Sequence, residues 1–275
     1  MIQDIHPHQL SNKFIEAGIR DGDYIFHYKN NALLLRRNGE GYEIPLRKEF
    51  YDSAGSGIFI FSLNNINCFL AGECTVPEDP CYIYQEINFF RTLPRRDIAW
   101  AAIVGSQLAN WYDMNKYCGK CGSIMSPKKD ERAISCYCCE NIVYPHISPA
   151  IIVAIISKDK ILLARGNNFR NGFYSLVAGY ADIGESLEEA VVREVKEEVG
   201  IDVTGIRYYS SQPWPFSGSM MIGFIADADE RQPIIIDNKE ITEARWFNRG
   251  NLPKHPPSAI SIAGEMIEKF ESGKL

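Results

Sequence analysis

The stretch from Gly179 to Ile201, GYADIGESLEEAVVREVKEEVGI, limits what this chain can fold into more than any other. Ser186 followed by Glu189 has capping-box spacing, and Gly200 stands where a helix-ending glycine belongs, so a helix is predicted from Ser186 to Val199. At about 100° per residue, Leu187, Val191, Val195 and Val199 form one apolar stripe flanked by Ala190, while Glu189, Arg193 and Lys196 face the other way. Glu194 and Glu198 fall inside the apolar sector, and Glu197 sits at its edge, so that the three carboxylates stand in the i, i+3, i+4 relation. A solvated acidic face is the ordinary reading of a glutamate-rich run. Here the helical wheel turns the charges inward, where they would repel one another and resist desolvation. A hard divalent cation, Mg²⁺ or Mn²⁺, resolves both difficulties because it takes oxygen ligands.

A second cluster points to a different metal. Cys118-Gly-Lys-Cys121 and Cys136-Tyr-Cys-Cys139 make C-x2-C-x14-C-x2-C. Each C-x2-C turn delivers two thiolates from one tight knuckle, and four thiolates complete the tetrahedron that structural Zn²⁺ prefers, with no open position for chemistry. Of the eight cysteines, Cys68, Cys74 and Cys81 are scattered. The opening residues MIQDIHPHQL lack a basic stretch followed by an apolar one, so a cytoplasmic chain without a secretory leader is expected, and clustered cysteines there indicate metal rather than disulfides. Cys138 is read as a bystander, since Cys136 with Cys139 gives the standard knuckle spacing.

The remaining sequence supplies the frame. Short apolar runs at Tyr24–Phe26, Ala32–Leu35, Ile58–Leu63 and Cys68–Ala71 read as strands, and Asp97 to Tyr112 as a helix. Residues 1–113 are therefore read as a β-rich N-terminal domain ending in a helix, 114–145 as a zinc ribbon, and 146–275 as an α+β sandwich. Within the last, Ile151–Ile156 and Ile161–Ala164 form a hairpin with a buried first strand. Further strands are expected at 174–177, 208–211, 220–225 and 244–247, with a closing helix at 260–270. No run approaches the roughly 18 apolar residues of a membrane span. The net charge of −6 argues against a chain held to nucleic acid by a general basic surface.

The segment 179–201 resembles the box of the Nudix hydrolases. In the form G-x5-E-x7-R-E-U-x-E-E-x-G-U, with U apolar, Gly179, Glu185, Arg193, Glu194, Val195, Glu197, Glu198, Gly200 and Ile201 fill every fixed position. The resemblance implies an α/β/α sandwich, helical glutamates that hold divalent cations against a diphosphate, and an arginine that orients one of them. Ser211-Gln212-Pro213-Trp214-Pro215-Phe216 further resembles the SQPWPFPxS signature of the NADH pyrophosphatase subfamily, which also carries a four-cysteine zinc site before its catalytic domain. Ser217 departs from that signature, standing where it has a third proline, and Ser219 is retained.

This subfamily resemblance implies hydrolysis of the pyrophosphate of NADH or NAD⁺ to nicotinamide mononucleotide and AMP, removal of NAD caps from RNA 5′ ends, and a homodimer. It makes Glu194, Glu197, Glu198 and Glu240 the Mg²⁺ or Mn²⁺ set, with Glu198, then Glu197, accepting the proton of water and Arg193 orienting them. Tyr144, Tyr180, Gln212, Trp214, Ser219 and Ala263 become the nucleotide-binding set; aromatics with a nearby amide suit a base that is stacked and hydrogen-bonded. Two other readings stay open: a broader dinucleotide or ADP-ribose diphosphatase, which Ser217 permits, and a zinc-ribbon nucleic-acid-binding protein whose Nudix domain only senses a nucleotide.

Overall fold

The computed structural model describes residues 1–50, 57–72, 74–167, 172–236 and 239–275. The chain divides into two compact units. One comprises Gln3–His146 with Pro215–Ser217, the other Met1–Ile2, Ile147–Trp214 and Gly218–Leu275. No helix among the described residues is long and apolar enough to cross a membrane.

The first unit is β-rich. Its strands are β1 (Leu10–Ser11), β2 (Tyr24–Phe26), β3 (Tyr28–Lys29), β4 (Ala32–Asn38), β5 (Gly41–Glu43), β6 (Ile58–Leu63), β7 (Ile66–Leu70) and β8 (Tyr82–Glu86). They form two sheets, ordered β1-β6-β7-β2 and β3-β4-β5 with β8 on β4. Ile25, Leu34, Phe50, Phe59 and Phe69 bury a core there. Helix α1 (Arg96–Met114) leads into a small sheet of β9 (Met125–Pro127), β10 (Ile134–Cys136) and β11 (Ile142–Val143), ordered β11-β10-β9. Trp111 of α1 shares a buried cluster with Cys118, Met125, Ile134 and Cys136.

The second unit is the expected sandwich. Its elements are β12 (Ser148–Ser157), β13 (Lys160–Gly166), β14 (Val177–Tyr180), α2 (Leu187–Val199), β15 (Thr204–Trp214), β16 (Ser219–Asp227), β17 (Ile241–Asn248) and α3 (Ile262–Glu271). The sheet runs β15-β16-β12-β13-β17, with β14 on β12. The pairing of β12 with β16 is parallel; the others are antiparallel. Because side chains alternate along a strand, β12 feeds two cores. Ile151, Val153 and Ile155 pack with Val191, Val195 and Val199 of α2. Ile152 and Ala154 pack with Ile262, Met266, Ile267 and Phe270 of α3. That is why the run 151–156 is apolar without alternation: both faces of the strand are covered.

Several boundaries differ from the sequence reading, two of them next to the candidate site. The strand expected at 174–177 lies at Val177–Tyr180, and Ser175 makes only an isolated bridge to Ala164. Apolar patterning missed the shift because this strand runs through Ala178 and Gly179, whose pairing to Ile152 and Ile151 is made by backbone. Strand β15 extends to Trp214 despite Pro213. It is an edge strand, and an edge tolerates a residue without an N–H.

Candidate active site on the carboxylate helix

The helix forms for the local reasons written in its sequence. Ser186 Oγ accepts from the Glu189 N–H at 3.2 Å, and the Glu189 carboxylate accepts from the Ser186 N–H at 2.7 Å, closing the capping box. At the other end Gly200 is left-handed, with φ 75°, and its N–H bonds to Lys196 O at 3.1 Å. A side chain there would be strained by that φ and would also meet Ile235 Cβ at 2.9 Å.

Burying the stripe of Ala190, Val191, Val195 and Val199 fixes the rotation of α2. That rotation leaves Glu198 7% exposed, the Glu194 side chain 14% and the Glu197 side chain 62%. Arg193 ties the group together. Its Nε and Nη2 donate to the two Glu185 carboxylate oxygens at 3.0 and 2.5 Å. Its Nη1 donates to Glu194 at 2.8 Å and to Glu197 at 3.2 Å, and Nη2 also donates to Tyr180 O at 2.9 Å. The guanidinium fork is thus spread over three carboxylates and one carbonyl. The bidentate pairing with Arg193 holds the Glu185 carboxyl at about 2. Burial pushes the Glu194 carboxyl up; Arg193 opposes that, and the negative charges of Glu197 and Glu240 reinforce it.

Gly179 is required by closeness rather than by φ. A Cβ at this position would fall 2.1 Å from Glu194 Cδ and 2.2 Å from its Oε1, so β14 passes directly against the carboxylate. Glu240 is exposed just before β17, and its carbonyl accepts from the Asn167 N–H at 2.9 Å. The donor set is therefore all oxygen, partly buried and mutually repulsive, which suits a hard divalent cation. Its carboxylates are not drawn into one tight knot, since Arg193 draws Glu194 and Glu197 toward itself.

The nucleotide candidates divide. Tyr180, at the end of β14, is 53% exposed, and its hydroxyl lies 3.1 Å from Ser219 Oγ. Trp214 ends β15 opposite Ser219, so Tyr180, Trp214 and Ser219 lie close along the sheet. Ser217 is exposed in the turn between β15 and β16. Ala263 is buried in the first turn of α3. Tyr144 belongs to the first unit, where its hydroxyl donates to Glu131 Oε1 at 3.1 Å. Gln212 differs from the sequence reading. It is 0% exposed, and its amide is turned onto backbone, with Nε2 donating to Ile260 O at 3.0 Å and Oε1 accepting from the Ile262 N–H at 2.7 Å. Both ends of the amide are thus engaged with backbone at the start of α3.

In the first unit the ligand atoms of Cys118, Cys121, Cys136 and Cys139 all lie within 4.8 Å of one another. The Sγ atoms of Cys118 and Cys139 are 3.6 Å apart and those of Cys121 and Cys136 3.4 Å. A tetrahedral ion with bonds of about 2.3 Å sets its sulfurs about 3.8 Å apart, so the quartet fits zinc. Hydrogen bonds from Ser123 draw the Cys121 thiol down, whereas desolvation and the Cys121 side chain push the Cys139 thiol up. Cys138 is exposed and outside the quartet. Glu185 was legible only as a box position; its grip on Arg193 spans eight residues and depends on the turn before α2.

Residues 146–270 match the family model described as NUDIX domain. Proteins named NAD-capped RNA hydrolase NudC, from Salmonella typhi and from Escherichia coli O1:K1 / APEC, are each 48% identical to the chain over 164 residues. The match takes in 60% of this chain and spans 63% of the length of those relatives. A NUDIX hydrolase structure from Nitrosomonas europaea superposes with a TM-score of 0.50 at 21% identity, covering 58% of this chain and 92% of that one. It shares the fold.

Proposed function

We propose, from the match of residues 146–270 to the NUDIX domain model, that this chain hydrolyses the pyrophosphate bond of NADH and NAD⁺ to nicotinamide mononucleotide and AMP, and that it removes NAD caps from RNA. The observation that carries the reaction type is the Arg193 hub, which gathers Glu185, Glu194 and Glu197 beside the buried Glu198. The substrate rests on the SQPWPF segment and on relatives whose names specify NAD-capped RNA.

In this reading Glu194, Glu197, Glu198 and Glu240 hold Mg²⁺ or Mn²⁺. When bound, such an ion neutralises phosphate oxygens and lowers the pKa of water. Glu198 accepts the proton of the attacking water, with Glu197 as the next candidate. A new P–O bond forms, the bridging P–O bond breaks, and the departing mononucleotide keeps the bridging oxygen. Arg193 keeps Glu194 and Glu197 oriented, and Glu185 fixes Arg193. Tyr180 and Trp214 stack on the substrate, with Ser219 and Ala263 beside them. Cys118, Cys121, Cys136 and Cys139 hold structural Zn²⁺, and the working form is a cytoplasmic homodimer.

The test is direct. Purified protein with Mg²⁺ or Mn²⁺ is incubated separately with NADH, NAD⁺, ADP-ribose and NAD-capped RNA. Nicotinamide mononucleotide from NADH or NAD⁺ is expected, and chelation should abolish it. Faster cleavage of ADP-ribose would move the assignment to a broader diphosphatase, the alternative that Ser217 permits. No cleavage of any of the four would leave a nucleotide sensor and overturn the proposal.

Gly179→Ala gives a prediction from packing alone. The added methyl must displace Glu194, since it would lie about 2 Å from its carboxylate. A shift of about 1 Å in a catalytic group costs on the order of 10²-fold, and that loss is expected in kcat/KM with metal saturating. Wild-type kinetics from this variant would show that Glu194 can move without consequence.

A further inference from the structure

Gln212 is polar, wholly enclosed and aimed at backbone. Two of its contacts, Ile260 O and Ile262 N, flank Ser261, the N-cap of α3. The Ile262 N–H is one of the donors that a helix cannot satisfy within its own first turn. Here a side chain from an edge strand satisfies it, and the other end of the same amide takes the carbonyl before the cap.

The start of α3 is confined on its other sides as well. A Cβ on Gly264 would fall 2.4 Å from Pro256 O and 2.5 Å from the Pro257 carbonyl carbon. A Cβ on Gly223 of β16 would fall 2.8 Å from Ile262 Cδ1. The helix start is therefore pressed between the Pro256–Pro257 segment and the sheet, with Gln212 of β15 bonded to it.

Two pieces of the nucleotide site named above meet at this joint. Trp214 is two residues beyond Gln212 on β15, and so on the same face of the strand. Ala263 directly follows Ile262. We infer that Gln212 is a positioning residue that fixes the start of α3 against β15, and thereby the spacing of Ala263 and Trp214, and that it does not contact the substrate. What the site binds rests on the NAD(H) reading; the clamp does not.

The experiment uses the full chain with Gln212→Met, which keeps bulk and loses both hydrogen bonds. It also uses Gln212→Glu, which keeps an acceptor for Ile262 and serves if the Met variant folds poorly. Amide exchange at Ile262 is followed without substrate, AMP affinity is measured by calorimetry, and KM and kcat are measured on NAD⁺ with Mg²⁺. In Gln212→Met, Ile262 exchange should rise about 10-fold or more, as expected when a buried hydrogen bond is lost locally. KM should rise about 10-fold and AMP affinity should fall alongside it, with kcat changed by less than about 2-fold, the signature of lost binding geometry. Gln212→Glu should show a smaller rise in exchange. Higher KM with unchanged Ile262 exchange would make Gln212 a direct substrate contact and overturn the inference. Faster exchange with unchanged KM and AMP affinity would make it only a structural cap, and would also overturn it. If wild-type protein cleaved none of the four substrates, the functional reading would fall, and Ile262 exchange with AMP affinity would still decide the role of Gln212.

Discussion

Glu198→Gln is expected to lower kcat on NADH by about 10³- to 10⁴-fold while the protein stays folded. The substitution preserves shape and removes one negative charge. At 7% exposure, Glu198 sits next to the Val195 and Val199 core, so a group of unchanged volume leaves the packing intact. Neutralising a nearly buried carboxylate also removes a desolvation cost, so the melting temperature should hold or rise. Activity should still collapse, because an amide cannot accept the proton of water and is a poorer ligand for a hard cation. Glu194→Gln and Glu197→Gln should be less severe, and Glu197 the mildest, since its side chain is 62% exposed and shares Arg193 with two other carboxylates. Turnover measured at limiting Mg²⁺, together with a melting curve for each variant, checks the ordering. Near wild-type turnover from all three would end the hydrolase reading of this helix.

Helix α2 was legible because several independent signals agree along it. The capping box, the terminal glycine and the apolar stripe each arise from local chemistry, and the inward turn of Glu194 and Glu198 follows from angle alone. The cysteine quartet was legible because knuckle spacing is also local. What the sequence could not reveal depends on register between distant elements. The shift of β14 to Val177–Tyr180 places Gly179 against Glu194, and this follows from backbone pairing with β12 rather than from any pattern of apolar residues. Gln212 reads as a ligand when seen within SQPWPF; only the position of α3, some 50 residues later, shows its amide engaged with Ile260 and Ile262. The strands β1, β3 and β11, each of two residues, are too short to leave a periodic signal.

Cys118→Ser or Cys136→Ser should cost folded protein rather than turnover of whatever folds. The sheet of β9, β10 and β11 has strands of three, three and two residues, too little hydrogen bonding and burial to stand alone. Its interior consists of the ligands themselves: Cys118 and Cys136 are buried beside Met125, Ile134 and Trp111. With so small an apolar core, the binding energy of the ion becomes folding energy, about 10 kcal/mol or more for structural zinc sites. Losing one thiolate from a closed tetrahedral set should therefore unfold this segment. Metal analysis of protein purified without added metal should find about one zinc per chain, and either variant should lose it. Trp111 is 4% exposed in the same cluster, so its emission should shift to the red when a chelator removes the ion, a readout independent of catalysis. Cys138→Ser should retain the zinc, because Cys138 is exposed and outside the four sulfurs that converge. Zinc loss from that variant would exchange its role with that of Cys136 or Cys139, and a zinc-free chain with an unchanged melting curve would sink the structural-metal reading altogether.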